Sequence, residues 1–233
     1  AEAAWELEAD WLAKQAGIAP LPRCNLPAGR GDRVLDLISL DDQRWLIGSH
    51  TATGPVSCWP GGVPPVKRKE VVSRAYYKLE EAIRWTELPL RPGQVAMELG
   101  SAPGGACQAL LERGLKVIGV DPAEMDPRIL EHPQFEHWRM RSRELKKRRL
   151  ANIDWLISDA NLTPERTLDD VEPIATSAHV SLRGVVLTLK MPSWKRFERL
   201  QSYVERVRSW GWRQIRGRHR AFDRQELGLV AWN

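Results

Sequence analysis

From Lys69 onward the apolar positions Val72, Ala75, Tyr76, Leu79, Ala82 and Ile83 recur at helical spacing, which predicts an amphipathic helix with Arg74, Lys78 and Glu81 on another face. Beyond it, short apolar runs alternate with helix-length segments. Strands are expected at Val95–Leu99, Lys116–Val120, Phe135–Trp138, 154–158 and 185–190. Repeated strand–helix units imply an α/β, doubly wound, mostly parallel sheet with helices on both faces. Residues 212–218 and 227–232 break that rhythm, because only a short polar connection joins them. An antiparallel hairpin at the sheet edge is the expected outcome.

The first third of the chain follows a different pattern. Ala4, Leu7, Trp11 and Ala16 stand near helical spacing directly after Ala1, which reads as a processed or truncated start. Apolar runs at 34–40 and 44–47 flank Asp41-Asp42, the mark of a β-hairpin with a tight turn. The stretch 54–65 holds four Pro and three Gly, a composition suited to a connector and not to a regular element. A small N-terminal unit, 1–65, is therefore separated from a main domain, 66–233.

Composition narrows the class. With 233 residues and 42% hydrophobic content, the chain can bury one substantial core. It has no apolar run of the roughly 18 residues a membrane span needs, so the protein is expected to be soluble, unexported and cytoplasmic. Cys24, Cys58 and Cys107 lack metal-ligand spacing and read as free thiols, and no metal is called for. The net charge of +5 is modest, but its distribution is not even. Residues 139–149 carry seven cations in eleven positions, among them Arg143, Lys146 and Lys147, enough to neutralise several phosphates. A second basic set comprises Arg213, Arg216, Arg218, Arg220 and Arg224. Trp194 beside Lys195 could stack on a splayed base, or equally fill the core.

The most informative motif is Glu98-Leu99-Gly100-Ser101-Ala102-Pro103-Gly104-Gly105, where the first strand of the doubly wound unit turns into a helix. Ligands of open α/β sheets bind at that carboxyl edge, and glycines let the backbone pass close to them. The spacing G-x-x-x-G-G is neither the G-x-G-x-x-G of dinucleotide enzymes nor a phosphate-binding P-loop. Asp121 ends the second strand 21 residues after Gly100, where a carboxylate can accept both ribose hydroxyls of an adenosine. An adenosine ligand without a diphosphate fits best, with S-adenosylmethionine the obvious candidate.

At these residues the sequence resembles the FtsJ-type RNA ribose methyltransferases. The likeness runs through Ser73-Arg74-Ala75-Tyr76-Tyr77-Lys78-Leu79, the Glu98–Gly105 loop, Ser158-Asp159-Ala160, Thr188-Leu189-Lys190 and Arg224-Gln225-Glu226-Leu227. Within that group it is most similar to the RlmM family of large-subunit ribosomal RNA cytidine 2′-O-methyltransferases, from Val34 to the end. The resemblance implies a Rossmann-like class I methyltransferase fold and a Lys-Asp-Lys-Glu active site at Lys78, Asp159, Lys190 and Glu226. It also implies that Asp159 borders the cofactor; RNA is expected to meet Arg74 and, from the basic run and the Trp beside a cation, Arg143, Lys146, Lys147, Trp194 and Lys195. Two departures stand out. That family carries a larger N-terminal RNA-binding region, of which residues 1–65 resemble only the tail, and Arg139-Met140-Arg141-Ser142 occupies the place where relatives set an acid for the adenine amine. Lys190, at a strand end, is the expected proton acceptor for a ribose hydroxyl. Two other readings remain open: ribose methylation of another RNA, such as an mRNA cap or transfer RNA, and a non-catalytic RNA-binding protein on the same fold.

Overall fold

The computed structural model describes residues 25–41, 44–67, 69–146 and 150–233, with the side chains of Trp194 and Lys195 excepted. The helical pattern around Ala4, Leu7, Trp11 and Ala16, and the positions of Asp42, Lys147, Arg148 and Arg149, lie outside the described residues. These separate into two compact units, one ending at Pro65 and one running Val66–Asn233.

In the first unit β1 (Arg33–Ser39) and β2 (Trp45–Thr51) form an antiparallel pair, in register from Arg33 opposite Thr51 to Ser39 opposite Trp45. The second strand outruns its apolar stretch. Its polar end is held by His50, whose ring nitrogens lie 2.7 Å from Asp36 Oδ2 and 2.9 Å from the Ser57 carbonyl. The Pro/Gly stretch is more ordered than a plain connector, forming two single 3-10 turns at Val56–Cys58 and Pro60–Gly62. Ser57 Oγ anchors the first by accepting the Thr53 and Gly54 amides.

The second unit is a seven-stranded sheet in the order β5-β4-β3-β6-β7-β9-β8. Its strands are β3 (Val95–Leu99), β4 (Lys116–Val120), β5 (Phe135–Trp138), β6 (Trp155–Ser158), β7 (Gly184–Lys190), β8 (Gln214–Arg218) and β9 (Glu226–Trp232). The first five in that order run parallel, and β9 is antiparallel to both β7 and β8. The hairpin expected from the sequence is present, but its later strand lies inside the sheet and its earlier one at the edge. The helices are α1 (Ala75–Thr86), α2 (Gly105–Leu111), α3 (Pro127–Leu130), α4 (Pro164–Ala175), α5 (Trp194–Phe197) and α6 (Leu200–Arg208). Helix α1 packs against α2, and α4 against α6. This is a Rossmann-like, doubly wound α/β fold. No helix among the described residues is long and apolar enough to cross a membrane.

Strand alternation distributes the chemistry. Met97, Leu99, Val185, Leu187, Leu189, Leu227, Leu229 and Ala231 share one core cluster with Leu168 and Val171 of α4 and Val207 of α6. Successive side chains on a strand point to opposite faces, so Glu98, Thr188, Lys190, Glu226 and Gly228 belong to the face that α1 covers. Of the polar stripe, Lys78 and Glu81 lie against this face and not in solvent, Lys78 6% exposed and Glu81 fully buried, while Arg74 ahead of the helix is exposed.

Candidate active site

Four charged side chains from four separate elements converge at the carboxyl end of the parallel strands. Lys78 comes from the first turn of α1, Asp159 follows β6, Lys190 ends β7 and Glu226 begins β9. Lys190 Nζ lies 2.7 Å from Glu226 Oε1 and 3.3 Å from Asp159 Oδ1. Lys78 Nζ lies 2.7 Å from Glu226 Oε2 and 3.3 Å from Asp159 Oδ2. Each ammonium thus meets both carboxylates, in a closed ring of alternating charge. The Lys78–Glu226 contact is an ion pair by distance without hydrogen-bond alignment, which leaves Glu226 Oε2 buried with no hydrogen-bond donor. The side chains of Lys78, Asp159 and Glu226 are at most 11% exposed and that of Lys190 is 21% exposed, so Lys190 is the member that opens to solvent.

Burial and charge pairing oppose each other in the ring, and pairing prevails. Burial alone would raise the Glu226 carboxyl, but Lys190 and Lys78 hold it down at about 2. Burial would likewise lower Lys190, yet Asp159 and Glu226 raise it above the ordinary lysine value. In the free protein Lys190 is therefore an ammonium ion.

The Glu98–Gly105 loop borders this ring. Gly100 (φ +78°) needs its missing side chain for a reason beyond ligand approach: a Cβ there would come within 2.5 Å of Ala160 Cα. Its absence lets the end of β6, and with it Asp159, sit against the end of β3, where the Asp159 amide donates to the Leu99 carbonyl. The loop continues through buried Ser101, a cis Ala102–Pro103 peptide and Gly104 (φ +119°) into Gly105 at the head of α2. Asp121 at the end of β4 accepts the Ala102 amide at 3.1 Å and the Ala123 amide at 2.8 Å, so it braces the loop while remaining partly exposed. Glu98 is 1% exposed, with the Cys107 thiol 2.9 Å from its Oε2. Burial, with the nearby Asp159 and Asp121 charges adding to it against the Cys107 hydrogen bond, pushes its carboxyl up to about 8. The Asp121 and Asp159 carboxylates around one loop, with Glu98 held protonated beneath it, favour a ligand with hydroxyl donors and positive charge over an anionic diphosphate. A sulfonium-bearing adenosine such as S-adenosylmethionine matches that donor set.

The remaining basic residues are dispersed. Arg74 is exposed one helical turn before Lys78, whose amide donates to the Arg74 carbonyl. Arg143 and Lys146 are exposed on the segment after β5, three strand positions from β6, where Ser142 Oγ bonds Asp170 of α4. Trp194 and Lys195 fall on the short helix α5. In the second basic set, Arg213, Arg216 and Arg224 are exposed, but Arg220 is buried and paired with Asp223. Arg220 is thereby withdrawn from the phosphate-facing surface that its spacing suggested. After β5, Arg139 turns back to donate to the Pro122 carbonyl at 3.2 Å.

The FtsJ-like methyltransferase family profile matches residues 71–192, more than half of the chain. Among curated relatives, a ribosomal RNA large subunit methyltransferase M from Halorhodospira halophila is 29% identical over 221 residues, covering 91% of this chain and 61% of the relative. One of the same name from Methylococcus capsulatus is 32% identical over 179 residues, covering 72% and 50%. The chain therefore spans only part of the length of these relatives. Among solved structures, the fibrillarin pre-rRNA processing protein of Methanococcus jannaschii shares the fold, with a TM-score of 0.54 at 16% identity over 86% of this chain and 97% of that one.

Proposed function

The chain belongs to the FtsJ-like methyltransferase family, and from that membership we propose that it transfers a methyl group from S-adenosylmethionine to a ribose 2′-hydroxyl of large-subunit ribosomal RNA, in the cytoplasm. The observation that carries this reading is the closed ring of Lys78, Asp159, Lys190 and Glu226 beside an acid-lined adenosine loop.

Bound S-adenosylmethionine supplies a methyl group already activated by the positive sulfur. What the protein must add is a competent nucleophile, held in line with that methyl group. Lys190, the most exposed member of the ring, takes the role of proton acceptor for the ribose hydroxyl, and only its uncharged fraction can act. Asp159 and Glu226 fix the direction of its Nζ, and Lys78 balances their charge from the buried side. Gly100, Ser101, Ala102, Pro103, Gly104 and Gly105 form the cofactor wall, with Glu98 beneath it. Asp121 takes the ribose of the cofactor. Arg74 takes a phosphate at the mouth of the site, and Arg143, Lys146, Lys147, Trp194 and Lys195 hold RNA farther out.

The deciding experiment is incubation of total bacterial RNA with methyl-labelled S-adenosylmethionine, followed by mapping of the modified nucleotide. Label at a ribose of large-subunit RNA supports the reading. Label on transfer RNA or a cap changes the substrate, and the absence of label with intact cofactor and RNA binding favours a binding protein.

A further inference from the structure

Arg220 is 1% exposed, although it arises from a stretch rich in exposed arginines. Burying a guanidinium is costly unless its charge is paired and its N–H groups find acceptors. Asp223, with a fully buried side chain, supplies the pairing. Arg220 Nε lies 3.1 and 3.0 Å from the two Asp223 oxygens, Nη2 lies 2.9 Å from Oδ1, and the Arg220 amide donates to Oδ2 at 3.0 Å. These bonds close the 220–223 turn on itself.

The outward contacts of the same guanidinium reach the active-site ring. Nη1 donates to the backbone carbonyl of Lys78 at 3.3 Å, and Nη2 donates to Thr188 Oγ1 at 2.9 Å. The side chain also lies against Gly228, where a Cβ would come within 2.7 Å of Nε. Thr188 stands two residues before Lys190 on the same face of β7, and Gly228 two residues after Glu226 on the same face of β9. One planar group therefore touches the three elements that carry Lys78, Lys190 and Glu226. The turn is fastened to α1 a second time, since Glu81 accepts the Ala221 amide at 3.0 Å and Phe222 stacks on Tyr77 with ring centroids 5.1 Å apart.

We propose that Arg220 is a positioning residue, setting the separations of Lys78, Lys190 and Glu226 through the α1 carbonyl, Thr188 and Gly228 without touching the reacting atoms. A buried ion pair adds little stability over apolar side chains of equal volume, so stability alone does not call for a guanidinium here. Its rigid fork contributes fixed angles between three elements, which a lysine ammonium cannot reproduce. The activity readout of this inference rests on the methyl-transfer reading, and its spectroscopic readout does not.

The test uses the full chain with Arg220→Lys, Thr188→Val and the paired change Arg220→Met/Asp223→Leu. Thermal melting reports folding, calorimetry reports S-adenosylmethionine binding, and NMR of 13Cε-labelled lysine follows the titration of Lys190. In folded variants kcat should fall on the order of 10- to 100-fold with a much smaller change in KM, as for a misplacement near 1 Å. The Lys190 titration should move down toward the ordinary lysine value, and Arg220→Lys should not rescue either quantity. A folded Arg220→Lys variant with wild-type Lys190 titration and kcat would overturn the proposal. If the substitutions at Arg220 do not fold, the near-isosteric Thr188→Val decides by the same two readouts. Should the unaltered chain methylate no RNA, the functional reading fails, while the lysine titration still decides the role of Arg220.

Discussion

Lys190 and Glu226 are register partners across the antiparallel β7–β9 ladder, and Lys190 Nζ lies 2.7 Å from Glu226 Oε1. The ladder holds the two Cα positions opposite each other, so the ion pair forms between side chains that the strand register already brings close. Lys190 is therefore charged in the free protein, since its carboxylate neighbours outweigh burial and raise it above the ordinary lysine value.

That charge state predicts the pH profile of the reaction. If only uncharged Lys190 accepts the ribose proton, the single-turnover methyl-transfer rate should rise about tenfold per pH unit through the neutral and mildly alkaline range. Lys190→Met and Lys190→Arg should each bind cofactor and RNA yet lose about 100-fold or more in rate, because arginine keeps the charge but effectively cannot deprotonate. A near-wild-type rate for Lys190→Arg moves the proton-accepting role to another group.

Acid stability should depend on Glu226. Its carboxyl is depressed to about 2, so its contribution is complete above the ordinary carboxylate range and is lost as pH falls toward 2. Denaturant unfolding at several pH values should show Glu226→Gln losing less stability than wild type over that window, by at most about 3 kcal/mol. Parallel curves for the two proteins would show that Glu226 does not couple folding to pH.

Glu98 predicts the opposite slope. With its carboxyl raised to about 8, the folded protein holds a proton that the unfolded chain releases above the ordinary carboxylate range. Stability contributed by this site falls as pH rises to about 8. Glu98→Gln, which keeps shape and removes the titration, should flatten that fall and leave the variant less sensitive to pH 8 than wild type, as read by thermal melts at pH 5 to 8.

The ribose contact proposed for Asp121 and its brace on the loop can be separated by substitution. Asp121→Ala removes both the proposed ribose acceptor and the brace on the Ala102 and Ala123 amides, and should weaken S-adenosylmethionine binding by roughly 10- to 100-fold. Asp121→Asn keeps one carbonyl oxygen and should lose less. Equal dissociation constants for wild type and Asp121→Ala, measured by calorimetry, would remove Asp121 from the cofactor site.

For RNA, Arg143→Gln and Lys146→Gln should each flatten the dependence of log affinity on log salt by about 0.7 to 0.9. Filter binding across a salt series reads this directly, and an unchanged slope would reduce the exposed run to a solvated face.

Much of this arrangement was legible in the sequence. Buried parallel strands are nearly continuous apolar runs, so β3 and β4 stand where the pattern placed them, as does the edge strand β5, which Phe135 and Trp138 mark around polar Glu136 and His137. Helix α1 was legible by its stripe but starts later than the stripe suggests, at Ala75, after a turn in which the Tyr76 amide donates to the Ser73 carbonyl. Which hairpin strand lies inside the sheet was not legible, because either order satisfies the same local pattern. The burial of Arg220 was not legible either: among five nearby arginines, only the tertiary position of the turn beside Thr188 and Gly228 distinguishes the buried one.

The inward placement of β9 also has a kinetic side. As the chain is synthesised, β8 emerges before β9, yet on the side away from β6 the neighbour of β7 is β9 and not β8. Until that strand arrives, the growing sheet presents the unpaired edge of β7, an open template for wrong partners. Over the same interval Lys78 and Lys190 have only Asp159 to oppose their charge. Closing the sheet edge and neutralising the site are thus one folding event, so a substitution that slows β9 insertion should prolong both aggregation risk and catalytic incompetence together.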